Sequence, residues 1–133
     1  MNKRKVEYYL PKSIEALNDD NCKIVKKIKK DDGTIKTNID KTFRGYISSF
    51  GAAVTMGSFK AAVAFFSTQS GAEQPRQELI RLLWFLTKDE WKNAQDISQE
   101  IISKDNDELN RLKEEFLNAS IAVKLAMNAY NLV

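Results

Sequence analysis

Apolar residues recur at steps of three and four from Asp40 onward, and this spacing constrains the fold more than any other feature of the sequence. In the first stretch they are Phe43, Tyr46, Ile47, Phe50 and Val54. Steps of three and four place side chains on one face of an α-helix. We therefore predict a helix after Asp40, whose carboxylate is a suitable N-cap.

The same spacing predicts a second short helix over residues 58–69. Gly57 and Ser58 provide a helix stop and a new N-cap, and Phe59, Ala62, Val63 and Phe66 follow. Residues 45–72 carry a single charge, Lys60, so we predict that this helix pair forms the core. Phe50 and Phe65 are both expected to be buried there.

Three more helices are predicted after a break at residues 69–72. Pro75 suits the first turn of one of them, with an apolar stripe at Leu79, Leu82, Leu83 and Leu86, widened by Ile80 and Trp84. Residues 87–90 have capping-box spacing and predict a shorter helix with Ala94, Ile97 and Ile101 inward. Residues 105–108 cap a long C-terminal helix, whose stripe runs Leu109, Leu112, Phe116, Ala119, Val123, Ala126 and Tyr130.

The first 39 residues give a weaker pattern. Val6, Leu10, Ile14 and Leu17 predict a helix over residues 6–20, in which Pro11 requires a first turn or a kink. Residues 22–39 contain a turn signal at Asp32-Gly33, and we predict a frayed helix end plus a loop, with a small hairpin as the alternative. The predicted fold is all-α, a single-domain bundle of five to six helices over residues 1–133. A basic part, 1–44, precedes core helices, 45–133.

Composition leaves little for catalysis. The chain has 133 residues, no histidine and one cysteine, Cys22, which excludes His-dependent triads, Cys-His pairs, disulfides and ordinary zinc sites. Carboxylates near residues 105–108 and 114–115 are explained by helix capping and by a solvated helix face. We therefore expect no enzyme, no catalytic residues, no metal, no cofactor and no small-molecule substrate, and we expect Cys22 to be a bystander. No stretch is long and apolar enough to predict a membrane span, and no export signal is visible, so we expect a cytoplasmic protein.

Positive charge is concentrated near the N-terminus. Residues 1–44 hold 12 Lys or Arg against 7 Asp or Glu, whereas residues 45–133 hold 9 against 11. Five lysines fall within residues 23–30, a pattern typical either of a surface that faces a polyanion or of ordinary solvated surface. Trp84 is predicted to be buried, and Trp91 to be partly exposed.

Two segments resemble a known family. Residues 43–54, Phe-Arg-Gly-Tyr-Ile-Ser-Ser-Phe-Gly-Ala-Ala-Val, and residues 61–67, Ala-Ala-Val-Ala-Phe-Phe-Ser, are similar to the signature of the small helical subunit of the Cmr complex, the type III-B CRISPR effector. Through helix order, size and the helix at residues 76–86, the resemblance covers most of the chain.

The resemblance implies an all-α, non-catalytic protein of antiviral defence, present in several copies per complex. These copies would stack head-to-tail as an inner filament beside the subunits that bind crRNA, and would help to hold target RNA, while other subunits cleave it. Partners would thus be other Cmr subunits, further copies of the chain, crRNA and single-stranded target RNA.

Isolated basic residues beside the apolar body are the candidate RNA contacts, and the lysine segment 23–30 is the competing site. The candidates are Lys41, Arg44, Lys60, Arg76 and Arg81. A free-standing regulator with a helix-turn-helix over residues 43–69 is the alternative function. It is disfavoured because its second helix offers only Lys60 and Gln69 to bases.

Overall fold

The computed structural model describes residues 2–68 and 75–133, in which six helices surround one hydrophobic core and a small sheet lies at the side. The helices are α1 (Lys3–Asn18), α2 (Lys41–Met56), α3 (Phe59–Phe66), α4 (Gln77–Lys88), α5 (Ala94–Ile102) and α6 (Asn106–Ala126). The strands are β1 (Val25–Lys29), β2 (Ile35–Ile39) and β3 (Asn131–Leu132). The predicted break at residues 69–72 lies outside the described residues.

Side-chain caps fix where the helices begin. The Asp40 carboxylate accepts from the Thr42 N–H at 2.8 Å, the Ser58 hydroxyl from the Ala61 N–H at 3.2 Å, and Asp105 from the Glu108 N–H at 3.0 Å. Each bond satisfies a backbone donor that has no partner within its helix. The predicted N-caps at residues 40 and 58 are confirmed, and within the predicted cap residues 105–108 the N-cap is Asp105.

The predicted capping box at residues 87–90 is wrong. Thr87 belongs to the last turn of α4, where its hydroxyl donates to the carbonyls of Leu83 and Trp84. Asp89 then ends the helix in the left-handed region at φ 57°. The cap of α5 is Asn93, which accepts from the Asp96 N–H at 2.9 Å.

Helix α6 packs against α1, α2 and α4. Its predicted stripe is buried from Leu112 to Ala126, but the helix ends there, and Tyr130 lies beyond a short 3-10 turn. The Phe116 ring is 5.3 Å from that of Phe59 and 6.4 Å from that of Phe50, so α6 connects the two helices of the signature region. The α4 stripe, including Trp84, is buried as predicted.

The prediction that Phe65 is buried is wrong, and one of the two positions allowed for Pro11 is excluded. Phe65 is 60% exposed, because the buried face of α3 consists of Phe59, Ala62, Val63 and Phe66, and Phe65 points away from it. Pro11 is inside α1 rather than in its first turn. It cannot donate to the carbonyl of Glu7, and both residues are exposed, so water can bind this carbonyl.

Residues 25–39 form a hairpin, so the all-α prediction and the loop prediction are wrong and the hairpin alternative is confirmed. Strands β1 and β2 pair antiparallel from Val25↔Ile39 to Lys29↔Ile35. Gly33 has φ 86°, and Asp32 accepts hydrogen bonds from the backbone and hydroxyl of Thr34. At the C-terminus β3 adds to β2 in parallel, which makes the fold mainly helical with a three-stranded sheet.

Candidate nucleic-acid interface

Lys41 and Arg44 line an open groove of about 410 Å³ at the start of α2. Lys124, in the last turn of α6, completes the basic lining, and its Nζ donates to the Ser48 hydroxyl at 2.8 Å. Gly45 and Leu132 form the rest of the wall. The basic groove, as we call this site, therefore brings together cations from two helices that are far apart in the sequence.

None of the residues that line the basic groove is acidic. The adjacent carboxylate is Asp40, the N-cap of α2. Hydrogen bonds from the Thr42 side chain and backbone lower its pKa, and the positive charge of Lys26 lowers it further. Asp40 is thus ionised, and its carboxylate caps the N-terminus of α2. The basic groove therefore keeps a surplus of positive charge that suits an anion.

Lys124 was missed by the sequence analysis. It lies on the same side of α6 as Leu117 and Ile121, at helical spacing, one turn after Ile121. A cation that follows an apolar pair at this spacing is the signal that could have singled it out. Its role depends on α2, however, because only the packing of α2 beside α6 places it next to Arg44.

The other three candidate residues do not line the basic groove. Lys60 lies in the first turn of α3 and is half-buried. Arg76 precedes α4, and its guanidinium lies 4.4 Å from the centre of the Phe65 ring while its Nε donates to the Phe65 carbonyl. Arg76 thereby covers part of the exposed phenylalanine.

Arg81 is engaged within the protein. Its Nη1 lies 2.8 Å from Glu78 Oε2 and also donates to the Asn21 carbonyl, and its Nε donates to the Lys92 carbonyl. Both partners of the ion pair are largely buried. Arg81 therefore links α4 to two loops, and little of its charge remains for a ligand.

The lysine segment 23–30 begins just before β1 and extends through it to Lys30. Lys26, Lys27, Lys29 and Lys30 are all exposed, and within residues 2–68 and 75–133 none of them forms an ion pair with a carboxylate. Lys27 donates to the Asn18 carbonyl, at the C-terminal end of α1. The hairpin therefore presents a second basic surface.

An apolar groove of about 340 Å³ continues from the basic one and shares Ser48 and Lys124 with it. It runs between α2 and α6. Its wall is formed by Ile47, Gly51, Ala52, Thr55, Leu117, Ser120 and Ile121. The side of α2 that faces away from the core is thus only partly covered.

The remaining candidates have internal explanations. Cys22 is buried, and burial raises the pKa of its thiol, so it stays protonated and unreactive near neutral pH. Trp84 is buried, with its indole N–H donated to Glu90, and Trp91 is partly exposed as predicted, stacked on Phe85 at 4.5 Å. Among the residues outside 69–74 and Met1, no three Asp, Glu or Cys side chains meet in a way that could hold a metal.

The helix-turn-helix alternative gains no support. Four of the eight residues of α3 are buried, and Lys60 is its one charged residue. A recognition helix would need several polar side chains to reach base edges.

In the described part of the chain, no helix is long and apolar enough to cross a membrane.

These features define a small, mainly helical protein whose surface carries two basic regions. The family model Cas_Cmr5, described as CRISPR-associated protein, matches residues 18–130. The match covers most of the chain, so the protein belongs to this family, and the resemblance to the Cmr small subunit is confirmed. Comparison with curated proteins and with solved structures gives no significant match.

Proposed function

We propose that this chain is a non-catalytic small subunit of a cytoplasmic type III-B CRISPR (Cmr) effector complex. Several copies stack in the complex as an inner filament. They help to hold crRNA and target RNA for antiviral defence. Family membership supports the place in a Cmr complex. The basic groove is the single observation that supports the RNA-holding role.

The basic groove suits a nucleic-acid backbone. Lys41, Arg44 and Lys124 provide three cations without a carboxylate among the lining residues. Phosphate contacts of this kind hold RNA without reading its sequence, which is what a subunit that must accept any target requires. Lys60 and Arg76 lie outside this groove and stay secondary candidates, because neither forms an ion pair within residues 2–68 and 75–133. The charge of Arg81, in contrast, is balanced by Glu78.

Exposed apolar surface supports contact with other subunits. Met56, at the end of α2, is 87% exposed, and Phe65 is 60% exposed. The apolar groove beside α2 adds further surface of the kind that protein interfaces cover. We assign the stacking of copies to such surfaces.

The non-catalytic role is proposed from the residue inventory. The chain has no histidine, and its single thiol is buried and protonated. We expect that the purified protein does not cleave RNA with or without Mg²⁺ or Mn²⁺. Metal-dependent cleavage that survives repurification and is lost on one Asp or Glu substitution would contradict this role.

The central test measures single-stranded RNA binding by the assembled complex over a salt series. A Lys41→Gln, Arg44→Gln double variant is compared with Arg111→Gln, Lys113→Gln, which removes the same charges from α6. Residues 111 and 124 of this helix are about 20 Å apart along its axis. The logarithmic salt slope should become shallower by about 1.4 for the groove variant, because each lost single-strand phosphate contact removes about 0.7. The α6 variant should behave as wild type.

Two outcomes would contradict the proposal. Tagged protein purified from its native cell should bring with it other Cmr subunits and RNA, and recovery without them would refute the place in the complex. If the groove variant assembles normally and keeps the wild-type salt slope, the basic groove does not hold RNA.

A further inference from the structure

The two faces of the hairpin carry different lysines. Residues directly opposite each other in an antiparallel pair lie on the same face, and successive residues alternate between faces. From the pairs Lys26↔Asn38 and Ile28↔Lys36, one face holds Lys26 and Lys36, which we call the even face. The pairs Lys27↔Thr37 and Lys29↔Ile35 place Lys27 and Lys29 on the other, the odd face.

The even face continues toward the start of α2. Along β2, Lys36 and Asn38 are followed at the same alternation by Asp40, the N-cap of α2. Asn38 accepts from the Asn131 side chain at 3.0 Å, which ties this face to β3, and Lys41, the residue after Asp40, lines the basic groove. Lys26 is close enough that its charge acts on the Asp40 carboxylate.

The odd face has a different neighbour. Lys27 lies against the end of α1, in a shallow pocket that also contains Asp19, Asp20 and Lys23, and its Nζ donates to the Asn18 carbonyl. Hydrogen bonds from Asn21 lower the pKa of Asp19, so this carboxylate is ionised. Acidic groups and a helix C-terminus therefore offset the positive charge of Lys27.

The geometry points to one continuous RNA track that begins on the even face of the hairpin, at Lys26 and Lys36, passes the start of α2 and ends in the basic groove at Arg44 and Lys124. This inference rests on the proposed function and specifies its RNA site. The two basic surfaces are then parts of one site, to which the odd-face lysines do not belong.

A single-stranded polyanion fits this track better than an acidic protein surface does. The cations follow the hairpin and the start of α2 rather than a compact patch, and the side-chain amide of Asn131 lies along them as a further hydrogen-bond donor. Ile28, 50% exposed, lies between Lys26 and Lys36 and provides an apolar surface for a base or sugar. RNA bound to such a track is an extended strand whose phosphates contact the lysine and arginine side chains. These contacts do not depend on the base sequence.

The strand alternation provides a matched test. In the assembled complex, a Lys26→Gln, Lys36→Gln variant removes two positive charges from the even face, and Lys27→Gln, Lys29→Gln removes two from the odd face of the same hairpin. Binding of single-stranded RNA is measured over a salt series, with thermal melts to establish that both variants are folded. The even-face variant should make the logarithmic salt slope shallower by about 1.4, and the odd-face variant should leave it at the wild-type value.

Lysine acetylation of the unmodified complex gives an independent readout. RNA should protect Lys26 and Lys36 from the reagent and leave Lys29 reactive, as measured by mass spectrometry. Equal effects of the two variants, a larger effect of the odd-face variant, or no protection of Lys26 and Lys36 would overturn the track. So would an even-face variant that no longer joins the complex, because its lysines would then bind an acidic protein surface.

A complex prepared without this chain separates the two levels of the proposal. If its omission leaves the salt slope unchanged, the RNA-holding function itself fails. If omission changes the slope and the even-face variant does not, only the track is wrong.

Discussion

Phe50 and Phe65 lie in the same apolar region of the sequence but have opposite environments. Phe50 is 0% exposed and its ring lies 5.4 Å from that of Phe66, in the centre of the core. Phe65 is 60% exposed and lies beneath the Arg76 guanidinium. The identity of a residue and the low charge around it therefore do not determine whether it is buried.

We expect alanine substitutions at these two positions to differ strongly. Phe50→Ala should lower the free energy of unfolding by about 3–5 kcal/mol, because it leaves a cavity in a packed core. Phe65→Ala should change it by less than about 1 kcal/mol, since an exposed ring loses little buried area. Urea denaturation of both variants measures the difference, and similar losses would show that Phe65 is buried in solution.

At the scale of elements, two glycines, one inside α2 and one directly after it, have different surroundings. A Cβ added at Gly51 would meet no atom within 4 Å, because this position borders the open apolar groove. A Cβ at Gly57 would lie 3.0 Å from the Ala53 carbonyl oxygen, at the end of the same helix. Gly51 thus costs helix stability without a packing reason inside the chain, whereas Gly57 is needed where the chain turns into α3.

Gly51→Ala should therefore raise the free energy of unfolding of the isolated protein by about 0.4–1 kcal/mol, because alanine reduces the conformational freedom of the unfolded chain. Gly57→Ala should lower it, because the added methyl group would lie only 3.0 Å from a backbone carbonyl oxygen, closer than ordinary van der Waals contact. Thermal and urea unfolding of the two variants test this contrast. Destabilisation by Gly51→Ala would mean that the groove is closed in solution.

At the scale of the whole molecule, the hairpin is the part with the least support from the core. Its outer residues, 26–36, are all exposed, including Ile35 at 65%. A two-stranded hairpin is only marginally stable by itself, and β3 pairs only with the last two residues of β2. Helices α4 and α6, in contrast, bury long apolar stripes.

Hydrogen exchange should report this gradient. We expect the amides of the outer hairpin to exchange through local opening, at rates many times faster than those of the buried turns of α4 and α6, which exchange only on global unfolding. Exchange measured by NMR or mass spectrometry on the isolated protein tests the expectation. Protection of residues 26–36 equal to that of α6 would show that the hairpin is part of the cooperative core.

Local patterns were sufficient for most of the helices. The three-and-four spacing predicted α2 to α6, since in a helix this spacing decides which residues share a face, and Asp40, Ser58 and Asp105 marked three of the starts because a cap needs only a neighbouring backbone N–H. The positive charge at Lys41 and Arg44 was equally predictable, because it follows from the residue types at these positions.

Contacts between distant parts of the chain decided the rest. The hairpin gains a third strand from residues 131 and 132, Lys124 joins Lys41 and Arg44 only because α6 packs beside α2, and Arg81 is neutralised by the buried Glu78. Likewise, Phe65 is exposed because the other face of α3 is the one that meets the core. Periodicity indicates which residues share a face. Which element packs against that face depends on the free energy of the whole core, and this cannot be derived from a short segment of sequence.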